Sequence, residues 1–518
     1  MKNYLSILFI IVFGSIVFVL AFRGVAGNPR AALLQQSIND PIRPYGTSPD
    51  RGRYLLTQNL VENHSFALTL TQANAAAPDV GYFEGRWYIL YPPGVAILAI
   101  PFYIVGAHYN LAYIFTHLMA MLFSLGNLVI IYLISRKVLN LPNWASIFSS
   151  LIFGVGSVPL SYSTTLFQHQ ETVFFMLSCF LAVYQYKIHT KWGFFWGMYA
   201  WLAYGIAIFI DYPNAVMMLP IIIYFLIVSL KIDKEGEGYS LKLRSSLIIT
   251  SVIFVALTLV HGYYNDVNFG GWTKLSSSLP SDLDNVESIL AETVSSDSQQ
   301  QLNKIEANKN PVGFFSETYL MRSGSILLFA PEKGLFIFSP IYILAVFGMY
   351  FAFKKFNLEK TVLISVVAIN LLLYSSWGDP WGGWAFGPRY LIPSMSILAI
   401  FVSLYLTKVR YKLPSKIIAF VLFAASCMIA VSGALTTNAV PPKSDASLDH
   451  SSYGVPYDFS FLKNGQSNSY LFNTYFSNKI TLMHYYELIV VFILLGTIVV
   501  LFVLPRFEKF IPDEVKIS

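Results

Sequence analysis

Apolar runs of roughly 17 to 25 residues, separated by short polar breaks, recur along almost the whole chain, and at 1.5 Å rise per residue each is long enough to cross the hydrocarbon core of a bilayer. In order they predict helices near residues 4–22, 110–135, 143–162, 168–186, 193–210 and 213–230. Six more follow near 244–262, 335–353, 360–376, 388–406, 415–434 and 485–504. The expected fold class is an all-α polytopic membrane protein of about a dozen transmembrane helices, with interfacial helices in its polar loops. The first run reads as a retained signal anchor, with cleavage between Ala21 and Gly27 as the alternative. A shorter apolar stretch opened by Tyr91-Pro92-Pro93-Gly94 and running to Gly106 reads as an interfacial or re-entrant helix, because a full crossing there would reverse every later charge.

Composition agrees with lipid as the solvent: 55% of the residues are hydrophobic, 16% aromatic and only 12% charged, about half the charge content of a soluble domain. The formal charge of +6 does not point to nucleic acid, since the basic residues sit in small groups at the ends of apolar runs instead of in one stripe. Both cysteines, Cys179 and Cys427, lie inside apolar runs, which leaves no disulfide framework and no thiolate metal site. Histidines show no ligand spacing such as His-x-x-x-His, which makes metal-dependent hydrolysis a weak reading; the sequence assigns no metal ligand and leaves a divalent-metal requirement undecided.

The charges set an orientation. With the N-terminus cytoplasmic, the inner ends collect Lys2, Arg136 and Lys137, Lys187 and Lys191, Lys231 and Lys234, Lys354 and Lys355, Lys408, Arg410 and Lys412, and Arg506 and Lys509. Basic inner loops are what the positive-inside rule requires. Both termini then face the cytoplasm of a cell membrane, and the long polar stretches 23–109, 263–334 and 435–484 fall outside. Residues 1–434, with the first two of these loops, form one transmembrane module, and 435–518 add an outer loop, a last span and a short tail. Ser281 to Asn310, rich in Ser, Gln, Asp and Asn, has the character of a mobile lid. One sequon, Asn63-His64-Ser65, lies in the first outer loop.

Chemistry is therefore expected outside. Asp50, in Ser48-Pro49-Asp50-Arg51-Gly52-Arg53, opens an amphipathic helix running through Val61; it is a candidate base, with Arg51 or Arg53 tuning it or binding phosphate. The competing reading is a solvated carboxylate capping that helix. His169 stands at an outer helix junction, where a polar residue is costly unless used or solvated, and Asp211 sits at the tip of an apolar hairpin, where a tight turn explains it equally well. Arg322 and Lys333 flank an interfacial stretch and either meet a phosphate or snorkel. The densest signal runs from Trp377 to Tyr390: Asp379, Trp381 and Trp384 beside repeated glycines offer stacking faces for a sugar, and Arg389 offers a planar fork for phosphate.

These residues resemble the GT-C superfamily of membrane glycosyltransferases, especially the bacterial and archaeal relatives grouped with mannosyl- and aminoarabinosyltransferases. The resemblance rests on Asp50 through Leu60, Gly85-Arg86-Trp87-Tyr88 with Tyr91-Pro92-Pro93-Gly94, Tyr162 to Phe167, Lys333-Gly334-Leu335-Phe336 with Ser339-Pro340, and the loop from Trp381 to Tyr390. It implies a polyprenyl-phosphate-linked sugar as donor, a glycan, lipid or protein acceptor, and inverting transfer with Asp50 as base. Arg389, Lys333 and Arg322 would face the donor phosphate, and Arg51, Arg53, Tyr91, His169, Asp211, Asp379, Trp381 and Trp384 the substrates. Many relatives carry an acidic pair where this chain has Asp50-Arg51, so Asp40 and Asp79 compete for the role. A transporter or flippase of lipid-linked glycans, or a noncatalytic glycan-lipid-binding relative, is the alternative.

Overall fold

A computed structural model describes residues 2–508 except 37–39, 41, 44–45, 190, 236–237, 281–314, 355 and 410; the lid expected at Ser281 to Asn310 falls outside the described residues. Helix α1 (Lys2–Leu20) leads into a region holding α2 (Ser48–Glu62) and an antiparallel hairpin, β1 (Val80–Phe83) and β2 (Arg86–Ile89). The two hairpin-turn residues, Glu84 and Gly85, both have positive φ, 46° and 80°, the mirror-image turn that matches the twist of the flanking strands. Then come α3 (Gly94–His108), α4 (Ala112–Leu133), α5 (Asn143–Gly154), α6 (His169–Ile188), α7 (Gly193–Ile210) and α8 (Leu219–Ser229). A second hairpin, β3 (Leu230–Glu235) and β4 (Gly238–Leu243), precedes α9 (Ser245–Phe269). The rest is α10 (Leu320–Phe329), α11 (Ile343–Phe353), α12 (Leu358–Ser375), α13 (Ile392–Lys408), α14 (Lys412–Leu435), α15 (Val455–Lys463) and α16 (Leu482–Ile498), which continues to Glu508.

Every segment expected to span is helical, but the crossings themselves are fewer by length and composition. Among the described residues, seven helices are long and apolar enough to cross a membrane: α4 with its following π turn, α7, α9, α12, α13 with the turn before it, α14, and α16 with its continuation. Helices α1, α3, α8 and α11 are apolar but shorter. The stretch after Tyr91 forms α3, which folds back on α4.

Outward stripes show where lipid would lie. On α9, Ile248, Val252, Val255 and Leu259 are all exposed, spaced three or four apart so that one face of the helix is apolar and unburied. By contrast α13 is buried among α5, α6 and α11. Some polar groups inside the bundle are paired across helices: the side-chain nitrogen of Asn127 on α4 donates to the backbone and side-chain oxygens of Gln170 on α6, both at 2.9 Å, which offsets the cost of burying that donor.

The helix ends sort into two faces. At one, Ser6 donates to Asn143 at 3.0 Å, the Trp144 amide to Glu508 at 2.8 Å, and Lys187 to Glu359 at 2.7 Å. These contacts gather the ends that carry the basic clusters. At the other, Arg23 after α1 donates to the carbonyls of Gly433 and Ala434 at the end of α14, where the helix leaves acceptors unsatisfied and its dipole favours a cation. The region with α2 rests on this second face.

Candidate functional site

Asp50 is not a solvated cap. It sits in the first turn of α2, 2% exposed, and its oxygens are unequally served. Oδ1 lies 2.9 Å from Nε2 of His117 and accepts from the Leu166 amide at 2.8 Å; among the described residues Oδ2 takes only the Tyr113 hydroxyl, at 3.5 Å. Asp50 lines a polar cavity of about 10 Å³ with Arg23, Arg43, Thr165, Asn438 and Asn468, room for about one water-sized oxygen.

On the next turn of α2, Arg53 is 1% exposed. It donates to the Leu166 carbonyl at 3.2 Å and to Gln168 Oε1 at 2.8 Å, and its guanidinium lies 4.4 Å from the centre of the Tyr91 ring. Gln168 passes the contact on, its amide donating to Asp211 at 3.2 Å. Burial pushes the Asp211 carboxyl up to about 6, while the Arg53 charge pulls it back. Tyr91 bonds Asp79 through its hydroxyl, and Asp79 also accepts from Ser48.

Arg389 approaches this group from the loop before α13, its guanidinium 5.1 Å from the Phe167 ring centre. His169 stacks on the same Phe167 at 5.7 Å. The charges of Arg389 and Arg53 both act on the His169 ring. Among the described residues, Arg53 Nε, Arg389 Nε, His169 Nε2 and both carboxylate oxygens of Glu171 are buried without a hydrogen-bond partner. Buried polar atoms without partners are costly, and two guanidinium N–H groups in one region make a place for an anionic oxygen.

The remaining sequence candidates have structural partners. Arg51 donates to the carbonyls of Ala75 at 2.8 Å and Ala77 at 3.1 Å, closing a short helix, Leu70–Ala76. Asp379 accepts from three successive backbone amides, those of Trp381, Gly382 and Gly383, at 3.0 to 3.2 Å, so it shapes its loop. Trp381 donates to Glu332 at 2.9 Å and Trp384 to Asp445 at 2.8 Å. Arg322 is exposed, 5.6 Å from the Trp381 ring centre. Lys333 is fully buried and donates to the carbonyls of Ala385 and Val440; burial pulls its ammonium down to about 7. Asp40 pairs with Arg43 at 3.1 Å, on the solvent side.

The structure thus brings Asp50, Arg53, Tyr91, His169, Asp211 and Arg389 to one region and leaves Lys333, Arg322, Trp384 and Asp40 around it. Sequence reasoning missed His117, Arg23, Gln168, Glu171 and Asp458. His117 and Glu171 carried one signal, an ionisable residue inside an apolar run. Asp458 is fully buried on α15, accepts from Thr436 at 2.9 Å, and burial pushes its carboxyl up to about 7. Among the described residues no three His, Cys, Asp or Glu side chains gather as a metal site.

Residues 92–263 match the family described as dolichyl-phosphate-mannose-protein mannosyltransferase. No curated protein matches the sequence. Solved structures share the fold: ArnT from Cupriavidus metallidurans in the apo state has a TM-score of 0.50 at 14% identity, covering 97% of this chain and 77% of that one. The oligosaccharyltransferase of Archaeoglobus fulgidus, tethered to an acceptor peptide, has 0.51 at 12% identity, covering 93% of this chain and 58% of that one. The same ArnT bound to undecaprenyl phosphate gives 0.49 at 14% identity, with 95% and 76% covered. The family match covers about a third of the chain, and the two structures at TM-scores of 0.50 and 0.51 share its fold.

Proposed function

We propose that this protein transfers a sugar from a polyprenyl-phosphate donor to an acceptor on the extracytoplasmic face of the membrane, with inversion and with Asp50 as general base. The observation that carries the reading is the placing of one buried carboxylate, with acceptor capacity left on Oδ2, beside a region where Arg53 and Arg389 hold unpartnered N–H groups. In the reaction the acceptor oxygen attacks the anomeric carbon, its proton passes to Asp50, and the bond from that carbon to the phosphate oxygen breaks. The electron pair leaves with the lipid phosphate, and Arg53 and Arg389 offset its charge. The description of the matched family, which names a lipid-phosphate sugar, supports the donor class.

Twelve crossings with both termini cytoplasmic fit this reading. The basic ends meet at one face and the Asp50 region lies at the other. A transporter would gather ionisable groups at mid-span, whereas Asp50, Arg53, Asp211 and Arg389 stand at helix ends and in loops.

The test is transfer of labelled sugar from polyprenyl-phosphate donors to membrane acceptors by the reconstituted protein, against Asp50→Asn at matched amount. Loss of transfer in the variant, about 10²-fold or more, is the expected outcome. Equal transfer by both proteins would remove Asp50 from the base role.

A further inference from the structure

Both ring nitrogens of His117 face oxygen. Nδ1 lies 2.9 Å from the Tyr113 carbonyl and Nε2 lies 2.9 Å from Asp50 Oδ1. A carbonyl only accepts, so Nδ1 carries a proton. The second contact then needs a proton of its own, since a carboxylate and an imidazole lone pair at that distance repel. Asp50 and His117 therefore hold one shared proton, as imidazolium with carboxylate or as imidazole with carboxylic acid. The backbone decides between them: the Leu166 amide also donates to Oδ1 at 2.8 Å, and a second donor on the same oxygen favours the carboxylate.

From this we infer that His117 is the positioning residue of the transfer reaction, an imidazolium that keeps Asp50 ionised and confines the incoming proton to Oδ2. The inference rests on the reading of Asp50 as base. His117 is fully buried and its ring stacks on Tyr113 at 3.7 Å, 20° from parallel, so it has one orientation. With Oδ1 held by two donors, only Oδ2 retains a lone pair for the acceptor hydroxyl. The protons balance: before transfer the pair holds one, afterwards two, and the second returns to solvent when the product leaves.

Among the described residues, the other titratable or charged groups near the pair are Tyr113 on the same helix, Arg51 and Tyr54 on α2, Arg23 after α1 and Arg43 before α2. Asp458 acts on Arg23 and burial pushes its carboxyl up to about 7, so the profile is measured in an Asp458→Asn background as well.

The experiment is the pH profile of transfer for wild type and His117→Gln. Glutamine still donates to Oδ1 but never carries the charge. The expected result is a fall of about 10- to 100-fold at the optimum and a profile whose shape differs from that of wild type. A profile of unchanged shape overturns the inference. Should the glutamine variant not fold, ¹⁵N-histidine spectra of wild type and Asp50→Asn at pH 7 decide: one imidazolium signal lost in Asp50→Asn supports the inference, and identical spectra overturn it. If Asp50→Asn transfers normally, the base reading itself has failed. If it is dead while His117→Gln keeps the wild-type profile, only the role of His117 has failed.

Discussion

The guanidinium of Arg53 lies 4.4 Å from the centre of the Tyr91 ring, and this contact joins the first turns of α2 to the chain just before α3. Burial makes the Arg53 charge costly and lowers its proton affinity, with Tyr91, Asp211 and Glu171 opposing the loss. A cation is held in such a place when its planar fork is used.

Arg53→Lys should therefore not be conservative. A lysine ammonium cannot reach the Leu166 carbonyl and Gln168 together and still offer an N–H to a phosphate. Steady-state transfer kinetics are expected to show kcat/KM reduced about 10²-fold, with expression and thermal stability far less affected. A value within threefold of wild type would exclude Arg53 from donor recognition.

Gly382 has a φ of +64°, and a Cβ there would stand 2.7 Å from Arg389 Nε. Gly382→Ala carries about 1–2 kcal/mol of backbone strain and displaces the guanidinium. Donor affinity, measured as KM for the polyprenyl-phosphate sugar, is expected to weaken about tenfold. Gly383, with nothing within 4 Å of its Cβ position, serves as the control: alanine there meets the same backbone strain without touching Arg389.

Lys333 tests the division between site and scaffold. Its ammonium is bound to the carbonyls of Ala385 and Val440. Lys333→Met leaves both without that donor and should cost about 1–3 kcal/mol of stability, read as a lower midpoint in thermal unfolding in detergent. Transfer per folded molecule should stay within a few-fold; a loss of 10²-fold would return Lys333 to the phosphate.

Asp458 governs a pH effect. Its folded-state value, about 7, lies above the ordinary 3.8 because of burial. The folded state therefore binds the proton more tightly than the unfolded chain. The stabilisation this gives is complete below about 4 and is lost as pH rises through about 7. Asp458→Asn keeps the shape without the charge. The variant should be the more stable protein at pH 8, and its unfolding midpoint should change less than that of wild type between pH 5 and 8.

Much of the helical layout was legible because membrane helices announce themselves by length and apolarity. Each of the twelve expected spans is helical, and α2 runs from Ser48 to Glu62 where the amphipathic pattern placed it. Fewer pass as crossings on their own: α5 has 12 residues before the chain turns irregular, and α11 has 11. In the site, Arg389 and Arg53 could be singled out as cations beside aromatics. Lys333 and Arg322 looked the same in sequence, and only their partners set them apart. Asp379 resembled a sugar ligand because a one-dimensional reading cannot show that its two oxygens accept three amides of its own loop.

The sequence by itself determined that the chain is a helical membrane protein with its polar chemistry gathered between apolar runs, since hydropathy and charge bias are local properties of a segment. Tertiary structure alone decided that Asp50 is buried, that His117, 67 positions later in the chain, lies 2.9 Å from its carboxylate, and that Gln168 links Arg53 to Asp211. Those contacts join residues far apart in sequence. Their chemistry depends on distance, on the direction of a hydrogen bond and on exclusion of water, none of which a linear pattern encodes.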